Sequence, residues 1–204
     1  MGPWDSANHE SCSAVTDRTD PRIRRTARAF EQAIVELASQ RPVSQITVAD
    51  LAGVAGVTRA TFYNRYSSPL ELLIQVLHAD LERGQRIKDT RQADARITPE
   101  QLLRLTIGDV ADHVERHLAV YQHAMRDPAD GGAYEALVQY FIDRSLEVSA
   151  RSADPGLPDA SHRLIAQFVA HGFAGAIKGW LSDGSLTKAD LIEAVVACSP
   201  SWWS

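Results

Sequence analysis

Helix-start signatures recur along this chain and leave little room for anything but a helical fold. Thr47-Val48-Ala49-Asp50, Ser68-Pro69-Leu70-Glu71, Thr98-Pro99-Glu100-Gln101 and Thr187-Lys188-Ala189-Asp190 each set a hydroxyl three residues ahead of an acid or amide. Such a pair satisfies free N–H groups of a helix's first turn reciprocally. Two of them add proline at the first helical position, where it is tolerated. Between the caps, apolar residues step by three and four, as Ile23, Ala27, Phe30, Ile34 and Leu37 do. Ile46 and Val48 could open a strand, but the cap and the Ala-rich continuation favour helix. The expected fold class is all-α.

The pattern predicts helices over 21–40, 48 to 53 or 54, 59–66, 69–88, 99–116, 133–150, 161–181 and 188–198. A helix or bend is expected over 117–125, and loops over 89–97, 127–132 and 152–159. Residues 1–19 are polar and lack a repeating apolar face, so they read as a disordered leader. The M-G-P-W-D-S opening matches a myristoylation pattern only formally, because Pro3 follows the glycine.

A length of 204 residues allows one large domain or two small ones, with a sizeable core. Cys12 and Cys198 form no CxxC pair, which argues against a disulfide scaffold or a cysteine zinc site. No apolar run reaches the length of a membrane span and no secretory signal is visible, so a cytoplasmic protein is expected. Phosphate loops, dinucleotide fingerprints and nucleophile elbows are missing from the sequence. No cofactor and no metal are expected. The whole-chain charge of −5 argues weakly against a nucleic-acid partner.

The short helices at 48–54 and 59–66 are joined by a turn holding Gly56, and the second carries Arg and Tyr. That describes a helix-turn-helix, in which the second helix enters the major groove. The run Ile46-Thr47-Val48-Ala49-Asp50-Leu51-Ala52, then Ala55-Gly56-Val57-Thr58-Arg59-Ala60-Thr61-Phe62-Tyr63, then Tyr66 and Leu72-Leu73, resembles the TetR family of bacterial transcriptional regulators. The likeness covers about 50 N-terminal residues.

This resemblance implies a homodimer with an operator-binding N-terminal domain and a ligand-binding, dimerising C-terminal domain. The expected units are residues 20–68 and 69–204, with helix 69–88 linking them. Thr47 matches a phosphate-touching position. Thr58, Arg59, Ala60 and Thr61 match base-reading positions, where Arg59 suits guanine edges and the threonines suit thymine methyls. Tyr63 and Tyr66 match aromatics whose hydroxyls reach phosphate. Asn64 and Arg65 stand at positions that are often basic. Pro69 replaces a common phosphate-clamping lysine, leaving the N–H groups of that helix start as a substitute.

Charge is unevenly divided. Residues 21–70 hold seven arginines against three acids, a net +4, and the rest of the chain carries −9. The excess coincides with the helix-turn-helix. Arg22, Arg24, Arg25 and Arg28 sit at a helix start, the end that disfavours cations. They read as contacts to flanking backbone or minor groove, or as a solvated charged turn.

In the C-terminal half, Gly172, Gly175, Ala176 and Gly179 form a small-residue stripe on one long helix. Glycine costs a helix about 1 kcal/mol each, so close packing is implied. The family resemblance implies a dimer bundle of this helix and the last, with Leu191, Val195 and Cys198 as the last helix's apolar face. Packing within one subunit is the alternative. A pocket is expected among the helices, lined by His113, His117, Tyr121, Met125 and Tyr134, with Phe141, Phe168, His171 and Trp180. Aromatic walls suit a largely apolar ligand, and plain core packing is the competing reading. His113 and His117 have the spacing of helical metal ligands but lack the H-E-x-x-H pattern.

The sequence therefore reads as a DNA-binding regulator, a repressor released from a palindromic operator by a small apolar effector. The alternatives are an activator, a ligand-independent regulator, or a helical metal-dependent enzyme using His113 and His117.

Overall fold

The computed structural model describes residues 21–92, 98–126, 131–151 and 159–199. The expected leader at 1–19, the centres of the three expected loops, and Trp202 and Trp203 lie outside those residues. Among the described residues the chain is all-α, with nine α-helices and no strand. They are α1 (Pro21–Ala38), α2 (Val48–Ala55), α3 (Arg59–Tyr63), α4 (Pro69–Gln92), α5 (Pro99–Arg116), α6 (Leu118–Arg126), α7 (Gly132–Arg151), α8 (Asp159–Ser182) and α9 (Lys188–Cys198). A 3-10 turn at Val43–Gln45 follows α1.

The caps behave as the sequence implies, with one variation. Thr47, Thr98 and Thr187 each accept from the backbone N–H three residues on, and Asp50, Gln101 and Asp190 answer reciprocally. At α4 the Ser68 hydroxyl accepts from Glu71 N–H at 3.1 Å, but the Glu71 carboxylate reaches back to Ser67 N–H at 2.8 Å instead of Ser68. Helix ends differ in detail. α4 continues four residues past the expected Lys88 and α8 starts two residues before Ser161. Polarity alone does not stop a helix; a breaker does. α3 ends at Tyr63, earlier than expected, because Asn64 and Arg65 turn the chain toward α4.

α1, α2 and α3 pack together, and α1 also rests on α4. The second half of the molecule stacks α7 on α8 and on α4, while α9 closes against α5 and α8. Buried residues from Phe30 to Val195 form one continuous cluster. α4 is common to both halves: Leu72, Leu73, Leu77 and Leu81 are all buried along it. Gly132 lets α7 approach it, because a Cβ there would meet Leu70 Cδ1. Ion pairs pin α9 from outside, with Arg104 on Glu193 and Lys188 on Asp112 and Glu115.

The turn between α2 and α3 rests on Gly56, whose φ of 64° is left-handed. Nothing lies within 4 Å of a Cβ placed there, so only backbone strain opposes substitution. Gly56→Ala is expected to cost about 1–2 kcal/mol, read as a lower urea midpoint. Gly53, inside α2 with equally open surroundings, should give the opposite sign. Gly53→Ala is expected to stabilise by about 1 kcal/mol. Equal shifts from both variants would refute this account of the turn.

Candidate nucleic-acid interface

α3 is only five residues long and is anchored by one buried side chain, Phe62. Phe62 meets the rings of Phe30 and Tyr63 edge-on, at 5.4 and 5.7 Å between centroids. The opposite face is left to solvent. Arg59 and Ala60 are exposed there, and Tyr63 is 62% exposed. Thr58 caps the helix: its hydroxyl accepts from Thr61 N–H at 3.3 Å and shares a 2.8 Å bond with the Thr61 hydroxyl. The two hydroxyls have two protons, and only one is needed for that bond. The other remains available to an outside acceptor.

A cleft between the start of α1 and α3 is lined by Arg22, Ile23, Thr26, Thr61, Asn64 and Arg65. Four sequence-predicted DNA contacts thus share one surface. A second shallow groove on α1 gathers Arg24, Arg25 and Arg28. Arg22, Arg59 and Arg65 therefore lie on or beside the exposed side of α3, and Arg24, Arg25 and Arg28 cluster on α1 itself.

Three expected contacts look different in three dimensions. Arg65 donates through Nη1 to the Ile23 carbonyl at 2.8 Å, so its guanidinium helps fasten α3 to α1. Tyr66 is half-buried, its ring beside Phe30 and Phe62 and facing a groove shared with Glu31, Gln75, Val76 and Arg83. Burial and the nearby Glu31 carboxylate raise its phenol pKa, and an acidic neighbour is a poor setting for phosphate. Both Thr47 donors, N–H and hydroxyl, point to Asp50 Oδ2 at 2.9 Å. Those bonds, together with Arg41 at 2.8 Å, hold the Asp50 carboxyl below its usual range. The start of α4 is likewise occupied by its own Glu71 carboxylate, held low by Ser67. A second anion there would meet a like charge.

No family model matches the chain. Solved structures do. A TetR transcriptional regulator from Rhodococcus sp. RHA1 aligns at TM-score 0.56 and 17% identity, over 86% of this chain and 94% of its own. NalD, the secondary repressor of the MexAB-OprM multidrug efflux pump in Pseudomonas aeruginosa, gives 0.56 and 21% over 85% and 96%. A tetR-family regulator from Streptomyces coelicolor gives 0.57 and 18% over 85% and 78%. The chain has the TetR-regulator fold.

In this TetR-type fold the C-terminal residues singled out from sequence scatter over several surroundings. His113, Tyr121 and Phe141 are buried, Trp180 nearly so, and Phe141 packs edge-on against Phe173 at 5.1 Å. Met125 and Tyr134 are half-buried, with Tyr134 beside the exposed His171. Phe168 is 81% exposed on the outside of α8 and lines no internal cavity. Helical periodicity puts it with Leu164, Gly172, Gly175 and Gly179, a face that α7 does not cover. Leu191 and Val195, expected on the dimer face, are buried inside the subunit. They are the inner stripe of α9, which has only one such stripe to offer. Ala176 also packs on the subunit's own core, while Cys198 is exposed.

Sequence reading missed Asp80. This α4 residue accepts from His113 Nδ1 at 2.9 Å, Arg116 Nη2 at 3.2 Å and His117 Nε2 at 3.3 Å. These donors hold its carboxyl far below the usual range, the His113 bond first. Two residues earlier on α4, His78 meets Asp143 of α7 at 3.2 Å. α4 is thus tied to α5 and to α7 by polar links as well as by leucines. The described helices include none long and apolar enough to cross a membrane.

Proposed function

We propose that this protein is a DNA-binding transcriptional regulator, a homodimer that represses from a palindromic operator. The observation that carries the reading is the surface of α3. Arg59, Ala60 and Tyr63 face solvent beside a cleft that adds Arg22, Thr61 and Asn64. A helix presenting Arg and Thr side chains fits the major groove and its donor and acceptor edges. The local +4 in a chain of net −5 gives that surface the electrostatic footprint of a nucleic-acid contact. Dimerisation is supported by the uncovered apolar face of α8. Repression is supported by the likeness to NalD, itself named as a repressor.

The place of α4 supports the further reading that a small, largely apolar effector releases the protein from DNA. The helix touches α1 of the N-terminal part as well as α5 and α7. A ligand that favours another arrangement of α5 and α7 shifts the population of α4 positions. That changes the separation of the two recognition helices, which must match half-site spacing.

Fluorescence anisotropy with fragments from the promoter beside the protein's own gene tests this. Tight binding that weakens steeply with salt is the expected result. Binding to no fragment at low salt would overturn it. Arg59→Ala is expected to lose about 1–3 kcal/mol and to relax preference at one base pair. Unchanged affinity in that variant would remove Arg59 from the reading surface.

A further inference from the structure

The knot at Asp80, His113 and His117 has the composition of a metal site. One carboxylate oxygen and two imidazole nitrogens lie within 4.8 Å of one another. The carboxylate comes from α4 and the imidazoles from the last turn of α5 and its cap, so two helices converge on one point. His113 is fully buried, and its ring stands 4.8 Å from that of His117. We propose that Asp80 Oδ2, His113 Nδ1 and His117 Nε2 bind one divalent first-row transition-metal ion of the Zn2+ type, clamping α4 to α5.

The spacing suits such an ion. Zinc bonds to nitrogen and oxygen are about 2.0–2.2 Å, which sets neighbouring ligand atoms of a tetrahedron roughly 3.4 Å apart. Two edges of the present triangle are 2.9 and 3.3 Å. Entry of the ion therefore needs movements of only a few tenths of an ångström on those edges. Two imidazoles with a carboxylate favour Zn2+, Co2+ or Ni2+ over Mg2+ or Ca2+, which take oxygen ligands.

The buried surroundings supply what a ligating histidine needs. Its second nitrogen must hold a hydrogen-bond partner that fixes the ring and the tautomer. His113 Nε2 lies 3.0 Å from the hydroxyl of the fully buried Tyr121. A phenol hydroxyl both donates and accepts. Without metal, Tyr121 donates to Nε2 and Nδ1–H donates to Asp80. With metal, the Nδ1 lone pair turns to the ion and Nε2–H donates to Tyr121. The opposing term is charge. Arg83 and Arg116 also bond Asp80, and both are more than half exposed, so they can swing into water as the ion enters. Three protein ligands leave the fourth position to water.

The test uses the full-length chain, free of any affinity tag and stripped with chelator, titrated with Zn2+ alone and then with Co2+ alone. One Zn2+ per chain is expected, with a melting temperature that rises with free Zn2+. Co2+ should give the intense visible bands of a four-coordinate site. His117 is at the edge of the knot, so His117→Gln is the main variant, with Asp80→Asn beside it. Each is expected to weaken Zn2+ binding at least tenfold, while far-ultraviolet circular dichroism confirms the helices. Tyr121→Phe should weaken it by about 10–100-fold through loss of positioning. No stoichiometric uptake by the unmodified chain, or equal uptake by folded His117→Gln, would overturn the proposal. Operator binding enters none of these measurements, so failure of the regulator reading and failure of the metal site are separable.

Discussion

Phe62→Ala is expected to destabilise the protein by about 3–5 kcal/mol, the range for removing a buried aromatic ring. Phe62 has no exposed surface and is the one buried side chain of α3. A five-residue helix has no stability of its own, since isolated helices need roughly 12–15 residues even to be marginal. Its place is held by the Phe62 ring among Phe30, Tyr63 and Tyr66. Edge-to-face pairs add about 0.5–1.5 kcal/mol each beyond burial. Removing the ring leaves a cavity between α1 and α3 and frees the surface that carries Arg59. Urea unfolding followed by circular dichroism measures the loss, and anisotropy should show operator binding failing before the C-terminal helices melt. Phe62→Leu, which keeps most of the volume, is expected to cost less than half as much. A loss below about 1 kcal/mol for the alanine variant would mean that α3 is held by something other than this ring.

The architecture was legible because its signals are local. Thr47, Thr98 and Thr187 mark helix starts through bonds that span three residues, and the structure makes those bonds. Gly56 marks the turn by the conformation that only glycine adopts cheaply. Helix ends were less legible. The residues just after Lys88 are polar but contain no breaker, and α4 carries on to Gln92.

The site was legible only in part, for the same reason. Arg59, Ala60 and Tyr63 face outward because their neighbour Phe62 faces inward, which periodicity shows. The roles of Arg65 and Tyr66 depend on Ile23 and Glu31, more than thirty residues earlier, and no local pattern contains that pairing. Asp80 is the clearest case. It lies between Leu77 and Leu81 of a leucine stripe and has nothing in its own segment to mark it. Its partners are 33 and 37 residues away, and only the crossing of α4 and α5 brings them together. Leu191 and Val195 show the reverse error. Their amphipathic spacing was read correctly as an apolar face, but spacing does not say which neighbour covers it.

Phe168→Glu is expected to split the proposed homodimer and to lower operator affinity by about 10²–10⁴-fold. Leu164 and Phe168 are 73% and 81% exposed on α8, next to three glycines that leave the helix backbone open to approach. Within one subunit the substitution replaces a ring that touches mostly water. Its direct effect on folding should stay within roughly ±0.5 kcal/mol. Across a two-fold interface the same change counts twice. Two carboxylates would be buried in one seam without cationic partners, and breaking complementarity in this way costs several kcal/mol. The loss of DNA affinity then follows from valency: a dimer holds the second half-site at high effective concentration, and a monomer must bind each alone. Light scattering after gel filtration reads the mass, and anisotropy on the full palindrome and on a half-site reads the affinity. The half-site affinity should be unchanged, because α3 is untouched. A variant that stays dimeric would move the interface off this face of α8. A monomeric variant with full operator affinity would break the link between dimerisation and DNA binding.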